Sequence, residues 1–164
     1  MELASPAFED GEPIPERHGY AEEDVNPPLE VSDVPDEAET LAIVVDDPDA
    51  RDPAGKVWDH WVVWNVDPDR TVIPEGWDAD ERGSSSPDSR ARQDAEGAVE
   101  GQNDFGEVGW GGPNPPDREH AYRFLVYALD DELDLQRGAK KDDLYDAAEG
   151  HLVEKAELEG TYAP

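Results

Sequence analysis

Residues 101–116 carry five glycines and three prolines. Neither a regular helix nor a strand can run through such a stretch, because its backbone is steered through special dihedral values. Immediately beyond it, residues 121–130 (AYRFLVYALD) are apolar at both parities. That pattern fits a strand inside a sheet, buried on both faces. His120 and Tyr122 stand where loop becomes strand, two residues apart and therefore on one face. A rigid Gly/Pro loop that delivers a His and a Tyr to a strand end predicts a binding site.

Two further runs predict strands of the same core. Residues 41–47 (LAIVVDD) put Leu41, Ile43, Val45 and Asp47 on one face, so an apolar face ends in a carboxylate. Residues 60–66 (HWVVWNV) are dense in Trp and Val. The connection DPDARDPAGKVWD is rich in turn residues. If the two strands pair as antiparallel neighbours, Asp47 and His60 come to the same end of the sheet. Trp58, Trp61 and Trp64 are expected to pack in the core or at its rim.

The remaining segments are plainer. Residues 1–28, with Pro at 6, 13, 15, 27 and 28, read as extended chain with short edge strands, and His18 is expected to be exposed. Residues 68–100 read as a polar, Ser/Gly-rich surface excursion. In residues 140–153 (KKDDLYDAAEGHLV), Leu144, Ala147, Ala148, His151 and Leu152 fall at the spacing of one helical face, with Gly150 opposing the helix. His151 there is expected to be structural or partly exposed. The end, AELEGTYAP, reads as a last strand. The 164 residues form one domain, 1–164.

Composition narrows the function classes. Acids outnumber bases 43 to 13, a formal charge of −30, and they are spread along the whole chain. Such a surface reads as adapted to molar salt, where counterions screen self-repulsion. With no basic patch to displace phosphate counterions, a nucleic-acid partner is not expected. Cysteine is absent, so disulfides and thiolate metal sites are excluded. No apolar run is long enough to span a membrane and no secretory signal is visible, so a cytoplasmic protein without integral membrane association is expected.

Asp47, Asp49, His60, His120 and Tyr122 are thus predicted to collect at strand ends. A carboxylate beside an imidazole fixes its tautomer and favours its charged form. Two imidazoles, a Tyr hydroxyl and the N–H groups of Gly111 and Gly112 would suit a small anion such as phosphate. The plainer reading of Asp47 and Asp49 is that they hold the turn through side-chain hydrogen bonds to backbone N–H groups, and the two roles can coexist.

The wording of the motifs adds to this. DPDA at 47–50, HWVVWN at 60–65, NDFGEVGWGGPNPP followed by HAYRFLVYALD up to 130, NPPLEV at 26–31 and GHLVEKAELEGTY at 150–162 occur in order over nearly the whole chain. Together they resemble the phosphatidylethanolamine-binding protein family, in its bacterial and archaeal Raf-kinase-inhibitor-like branch. The resemblance implies a mostly β fold, a large antiparallel sheet packed on a smaller one, with flanking helical segments including one near the C-terminus. It also implies a small pocket for phosphate-like anions and phospholipid head groups, formed by Asp47, Asp49, His60, Gly112, Pro115, Pro116, His120 and Tyr122. The chain departs from the family pattern at Arg51, at Asn114 and at Ala121, and residues 117–119 form a shorter connection than usual.

The expected function is therefore binding of a phosphate-like anion or phospholipid head group, with regulation through a protein partner as a possible extension and a homodimer left open. No cofactor, catalytic residue or metal ligand is expected. The alternative is a phosphoester hydrolase that holds a metal on His60, His120 and Asp47. Against it stand the missing ligand spacing and the lack of an activated nucleophile.

Overall fold

The computed structural model of the chain describes residues 1–77 and 98–164. Its large sheet is built on the runs that the sequence marks as strands. Strands β3 (Thr40–Asp47), β4 (Trp58–Val66) and β7 (His120–Leu129) occupy its centre, with β6 (Val99–Glu100) at one edge and β8 (Leu152–Tyr162) at the other. The spatial order is β6-β4-β3-β7-β8, and every neighbouring pair is antiparallel. A smaller sheet has the order β1-β2-β5, from β1 (Glu2–Ala4), β2 (Leu29–Ser32) and β5 (Val72–Ile73).

Alternation explains why the central strands are apolar at both parities. Ile43, Val45, Trp61, Val63, Phe124 and Val126 face one side, where they pack with Leu3, Leu29, Val31 and Ile73 of the smaller sheet. Ala42, Val44, Val62, Trp64 and Leu125 face the other side, against Leu133 and Leu144. Trp61 and Trp64 are fully buried on opposite faces. Burying each large apolar side chain contributes about 1.5–3 kcal/mol, so the large sheet is the centre of stability.

Leu144 belongs to helix α2 (Lys141–Ala148), which covers the second face. The helix is shorter than its apolar spacing predicts. Gly150, at φ +85°, turns the chain through the left-handed region, and Leu152 already belongs to β8. His151 and Leu152 therefore lie beyond the helical face; Leu152 is exposed, and half-exposed His151 pairs with Asp130 at 2.8 Å. The short helix α1 (Arg51–Ala54) follows a single 3-10 turn, Pro48–Ala50, in the connection from β3 to β4.

His18 corrects an expectation: it is fully buried. The Pro-rich N-terminal segment is not a free edge but folds onto the loop before β7, where the Tyr20 N–H donates to the Pro113 carbonyl at 2.9 Å. His18 Nδ1 donates to the Val25 carbonyl at 2.8 Å, and Trp110 Nε1 donates to the His18 carbonyl at 3.2 Å. The polar excursion expected at 68–100 is bounded by β5 and by a buried stretch, Ala98, Val99 and Glu100. Its middle, residues 78–97, lies outside the described residues.

Candidate functional site

Strands β3 and β4 pair with Val45 opposite Trp61 and Asp46 opposite Asp59, which leaves His60 as an extra residue. This is a β-bulge, and bulges re-aim side chains. Simple alternation from Trp61 would send His60 to the α2 face. Instead its ring stands edge-on to Tyr122, centroids 5.2 Å apart, and to Phe105 at 5.6 Å. The bulge thus brings His60 to the face that carries Tyr122 and His120.

Around these rings lies a cavity of about 170 Å³. Asp47, Trp58, His60, His120 and Tyr122 line it from the strands; Ala50, Pro53 and Ala54 close one side, and Phe105, Asn114, Pro115 and Pro116 the other. Six of the eight residues expected from the sequence meet here: Asp47, His60, Pro115, Pro116, His120 and Tyr122. Asp49 and Gly112 do not line it.

Asp49 sits behind the wall. Its carboxylate accepts the Ala121 N–H at 2.9 Å and so pins the start of β7. Gly112 is a packing residue: a Cβ there would lie 2.0 Å from the His18 carbonyl oxygen. Its N–H donates to Asp24 at 2.7 Å, and the Gly111 N–H donates to the His60 carbonyl at 2.9 Å. Both glycine N–H groups expected to receive an anion are therefore already engaged within the protein.

The two histidines differ in charge. His60 Nδ1 donates to the Gly111 carbonyl at 2.6 Å, which leaves its lone pair on Nε2. Burial pushes the His60 imidazole down, against smaller raising effects from that hydrogen bond and from Asp47 and Asp46. His120 donates from Nδ1 to Asp47 at 2.6 Å and from Nε2 to Asp117 at 2.7 Å. Burial opposes its charge, but the two carboxylates outweigh burial and hold it above the usual imidazole range. Carboxylates on both ring nitrogens thus favour its doubly protonated form.

Asp47 both holds the turn and pairs with His120. One carboxylate oxygen accepts the Asp49 N–H at 2.9 Å, and the other accepts from His120. Tyr122 is almost wholly buried, and burial together with Asp47 raises its phenol well above the usual range, so it stays a donor. Its hydroxyl has no hydrogen-bond partner in the protein; Asp47 and the Asn114 backbone stand near it, short of good geometry. The Trp58 indole N–H is also buried without a partner. A buried donor without an acceptor costs about 1–3 kcal/mol, which a ligand oxygen would relieve.

Sequence reasoning did not assign Phe105 or Asn114 to the pocket wall, nor Asp117 to His120. Phe105 carried a signal, as a large apolar residue inside an otherwise Gly- and acid-rich loop; it stacks on Tyr20 with centroids 4.0 Å apart. The metal-hydrolase alternative gains no support. Both His120 nitrogens are occupied by carboxylates, and among the described residues no three His, Asp or Glu groups are placed to share a metal ion.

Comparison with known proteins places this geometry in a family. Residues 4–163 match the family model described as phosphatidylethanolamine-binding protein. A UPF0098 protein of Methanothermobacter thermautotrophicus is 43% identical over 162 residues, which span 99% of this chain and 98% of that one. Among solved structures, a phosphatidylethanolamine-binding protein homologue of Chlamydia trachomatis superposes with a TM-score of 0.83 at 37% identity, covering 98% of this chain and 95% of that one. YbcL of Escherichia coli, described as a member of the mammalian family, gives 0.82 at 30% identity, with 98% and 96% covered. The chain belongs to the phosphatidylethanolamine-binding protein family.

Proposed function

We propose that the cavity binds a small phosphate-like anion, either free or as the head group of a phospholipid. The observation that carries this reading is the buried, unpartnered Tyr122 hydroxyl on the cavity wall, with the His60 ring 5.2 Å away. Tyr122 supplies a donor. His60 supplies a lone pair that accepts from a protonated phosphate oxygen, or becomes a second donor once it takes up a proton. Apolar walls from Trp58, Phe105, Pro115 and Pro116 strengthen these contacts by excluding water.

Carboxylates crowd the site, so the charge of the anion is received with a proton. An anion beside His60 offsets the effect of burial and raises that imidazole. Binding should therefore tighten as pH falls toward 6. The same chemistry serves a carrier or sensor of phosphorylated molecules, and we place it in the cytoplasm, where a chain without cysteine gains nothing from oxidising conditions. A protein partner is not part of this proposal.

The test is an NMR titration of the His ring protons with phenyl phosphate at pH 6 in molar KCl. Ring signals of His60 should move on binding. Tyr122→Phe should weaken binding about tenfold, the worth of one hydrogen bond to a charged group. Saturating phenyl phosphate without any shift of His60 in the folded protein would refute the reading.

A further inference from the structure

The two carboxylates on His120 are not equivalent. Asp47 is 95% buried by its side-chain exposure of 5% and is tied twice, to His120 and to the Asp49 N–H. Asp117 lies on the short connection after Pro115 and Pro116, and its side chain is 40% exposed. Rotation into solvent leaves the backbone in place and rehydrates the carboxylate. Chemically, the Asp117 carboxylate on Nε2 stands where an oxyanion would sit: one of its oxygens lies 2.7 Å from the ring nitrogen, and Asp117 follows two residues that line the cavity.

We propose that Asp117 is a resident competitor for the anion and sets the charge selectivity of the pocket: its carboxylate fills the second N–H of His120 until a phosphate-like group exchanges with it. The inference rests on the anion-binding reading above and adds the residue that decides which anions enter. While Asp117 is in place, both His120 nitrogens face carboxylate acceptors and so both donate, and the triad Asp47–His120–Asp117 carries a net charge of −1, counted as two carboxylates and one doubly protonated ring. Next to Asp117 in the chain, Arg118 lies 3.6 Å from Asp49 and 3.9 Å from Asp52, so these three groups add a further −1. That field opposes a dianion more than a monoanion. After exchange, the His120 N–H faces the ligand and the repulsion from Asp117 moves outward.

The chemistry shared by the candidate ligands is a phosphate oxyanion, and its charge separates the sources. Dimethyl phosphate, always singly charged, stands for a phospholipid diester; methyl phosphate, mostly doubly charged at pH 7.5, stands for free phosphate and monoesters. Affinities of both would be measured by NMR in molar KCl at pH 7.5, for the natural protein, Asp117→Ala and the control Asp52→Asn. Asp117→Ala should tighten methyl phosphate about tenfold, the difference between a charge-assisted and an ordinary hydrogen bond, and dimethyl phosphate by clearly less. Asp52→Asn removes an equal charge that is 84% exposed and screened by molar KCl, and should change the ratio of the two affinities far less than Asp117→Ala does.

An unchanged ratio in Asp117→Ala, or weaker binding of both anions, would overturn the role of Asp117 and leave the anion reading standing as long as His60 still responds. No binding of either anion to the natural protein at pH 7.5 or 6 would overturn both. If Asp117→Ala does not fold, Asp117→Asn serves, since its amide oxygen still accepts from His120 without the charge. The same change of ratio is then expected, and its absence counts against the proposal.

Discussion

What faces the ring nitrogens of each buried histidine fixes its charge. His18 and His60 each give one N–H to a backbone carbonyl and are held down by burial, which favours the neutral ring in both. His120 gives both N–H groups to carboxylates and is held up despite its burial. In the unfolded chain all three have pKa values of about 6.5. As pH falls below that value, the unfolded chain takes up protons that His18 and His60 refuse in the fold, so their contribution to stability falls. The sign is opposite for His120: its contribution is full below about pH 6.5 and is lost as pH rises through its raised folded value. NMR titration of the ring protons should place the midpoint of His120 above 6.5 and those of His18 and His60 below. A His60 midpoint above 6.5 in the free protein would mean that burial does not outweigh Gly111 and the nearby carboxylates.

Between elements, one close approach shapes the cavity and one ion-pair cluster braces the opposite face of the large sheet. The loop before β7 approaches the N-terminal segment so closely that Gly112 has no room for a side chain. Gly112→Ala would drive a methyl into the backbone of His18, Gly19 and Tyr20, which cannot rotate away, and should cost about 2–3 kcal/mol in a denaturant titration. On the other face of β3, fully buried Asp46 accepts two hydrogen bonds from Arg123, each 2.8 Å, and lies 3.2 Å from Lys141 at the start of α2. Asp46→Ala leaves Arg123 without this carboxylate, while Lys141 keeps Asp59 at 2.6 Å. Because Arg123 is 37% exposed, the expected loss is about 1–3 kcal/mol, below that of a fully buried pair, and no measurable loss would show the cluster to be well solvated.

At this scale the sequence was most legible. Strands β3, β4 and β7 announce themselves because both faces of the large sheet are buried, and periodicity also brings His120 and Tyr122 to one face. Other features depend on partners that no local pattern records. The bulge that turns His60 toward Tyr122 comes from the register with β3, not from HWVVWN itself. The N–H groups of Gly111 and Gly112 read as free in a glycine loop, yet His60 and Asp24 claim them across 51 and 88 residues of chain. Helix α2 reads too long because apolar spacing continues past Gly150, where the backbone has already changed hand. Asp117 reads as one acid among many until His120 is seen beside it.

For the whole molecule, charge is the dominant fact. A formal −30 spread over 164 residues makes exposed carboxylates repel one another in dilute buffer, and salt screens that repulsion within about 10 Å at 0.1 M and about 3 Å at 1 M. The midpoint of thermal unfolding should therefore rise markedly between tenth-molar and molar KCl. A midpoint flat across that range would remove the reading of the surface as adapted to high salt. No helix among the described residues is long and apolar enough to cross a membrane. The same field repels anions from most of the surface, so an anion that binds must find donors buried enough to escape the average.

The most direct measurement of that central claim is the protonation of His60 itself, followed by nitrogen NMR of the imidazole ring at pH 6 in molar KCl with and without phenyl phosphate. In the free protein the expected state is neutral, with the proton on Nδ1 and the lone pair on Nε2. With the ligand bound, Nε2 should change from an unprotonated to a protonated or hydrogen-bonded resonance, while Nδ1 stays on the Gly111 carbonyl. In Tyr122→Phe the same change should require about tenfold more ligand. An Nε2 resonance that stays unprotonated and unshifted at saturating ligand would contradict the assignment of this cavity to a phosphate-like anion.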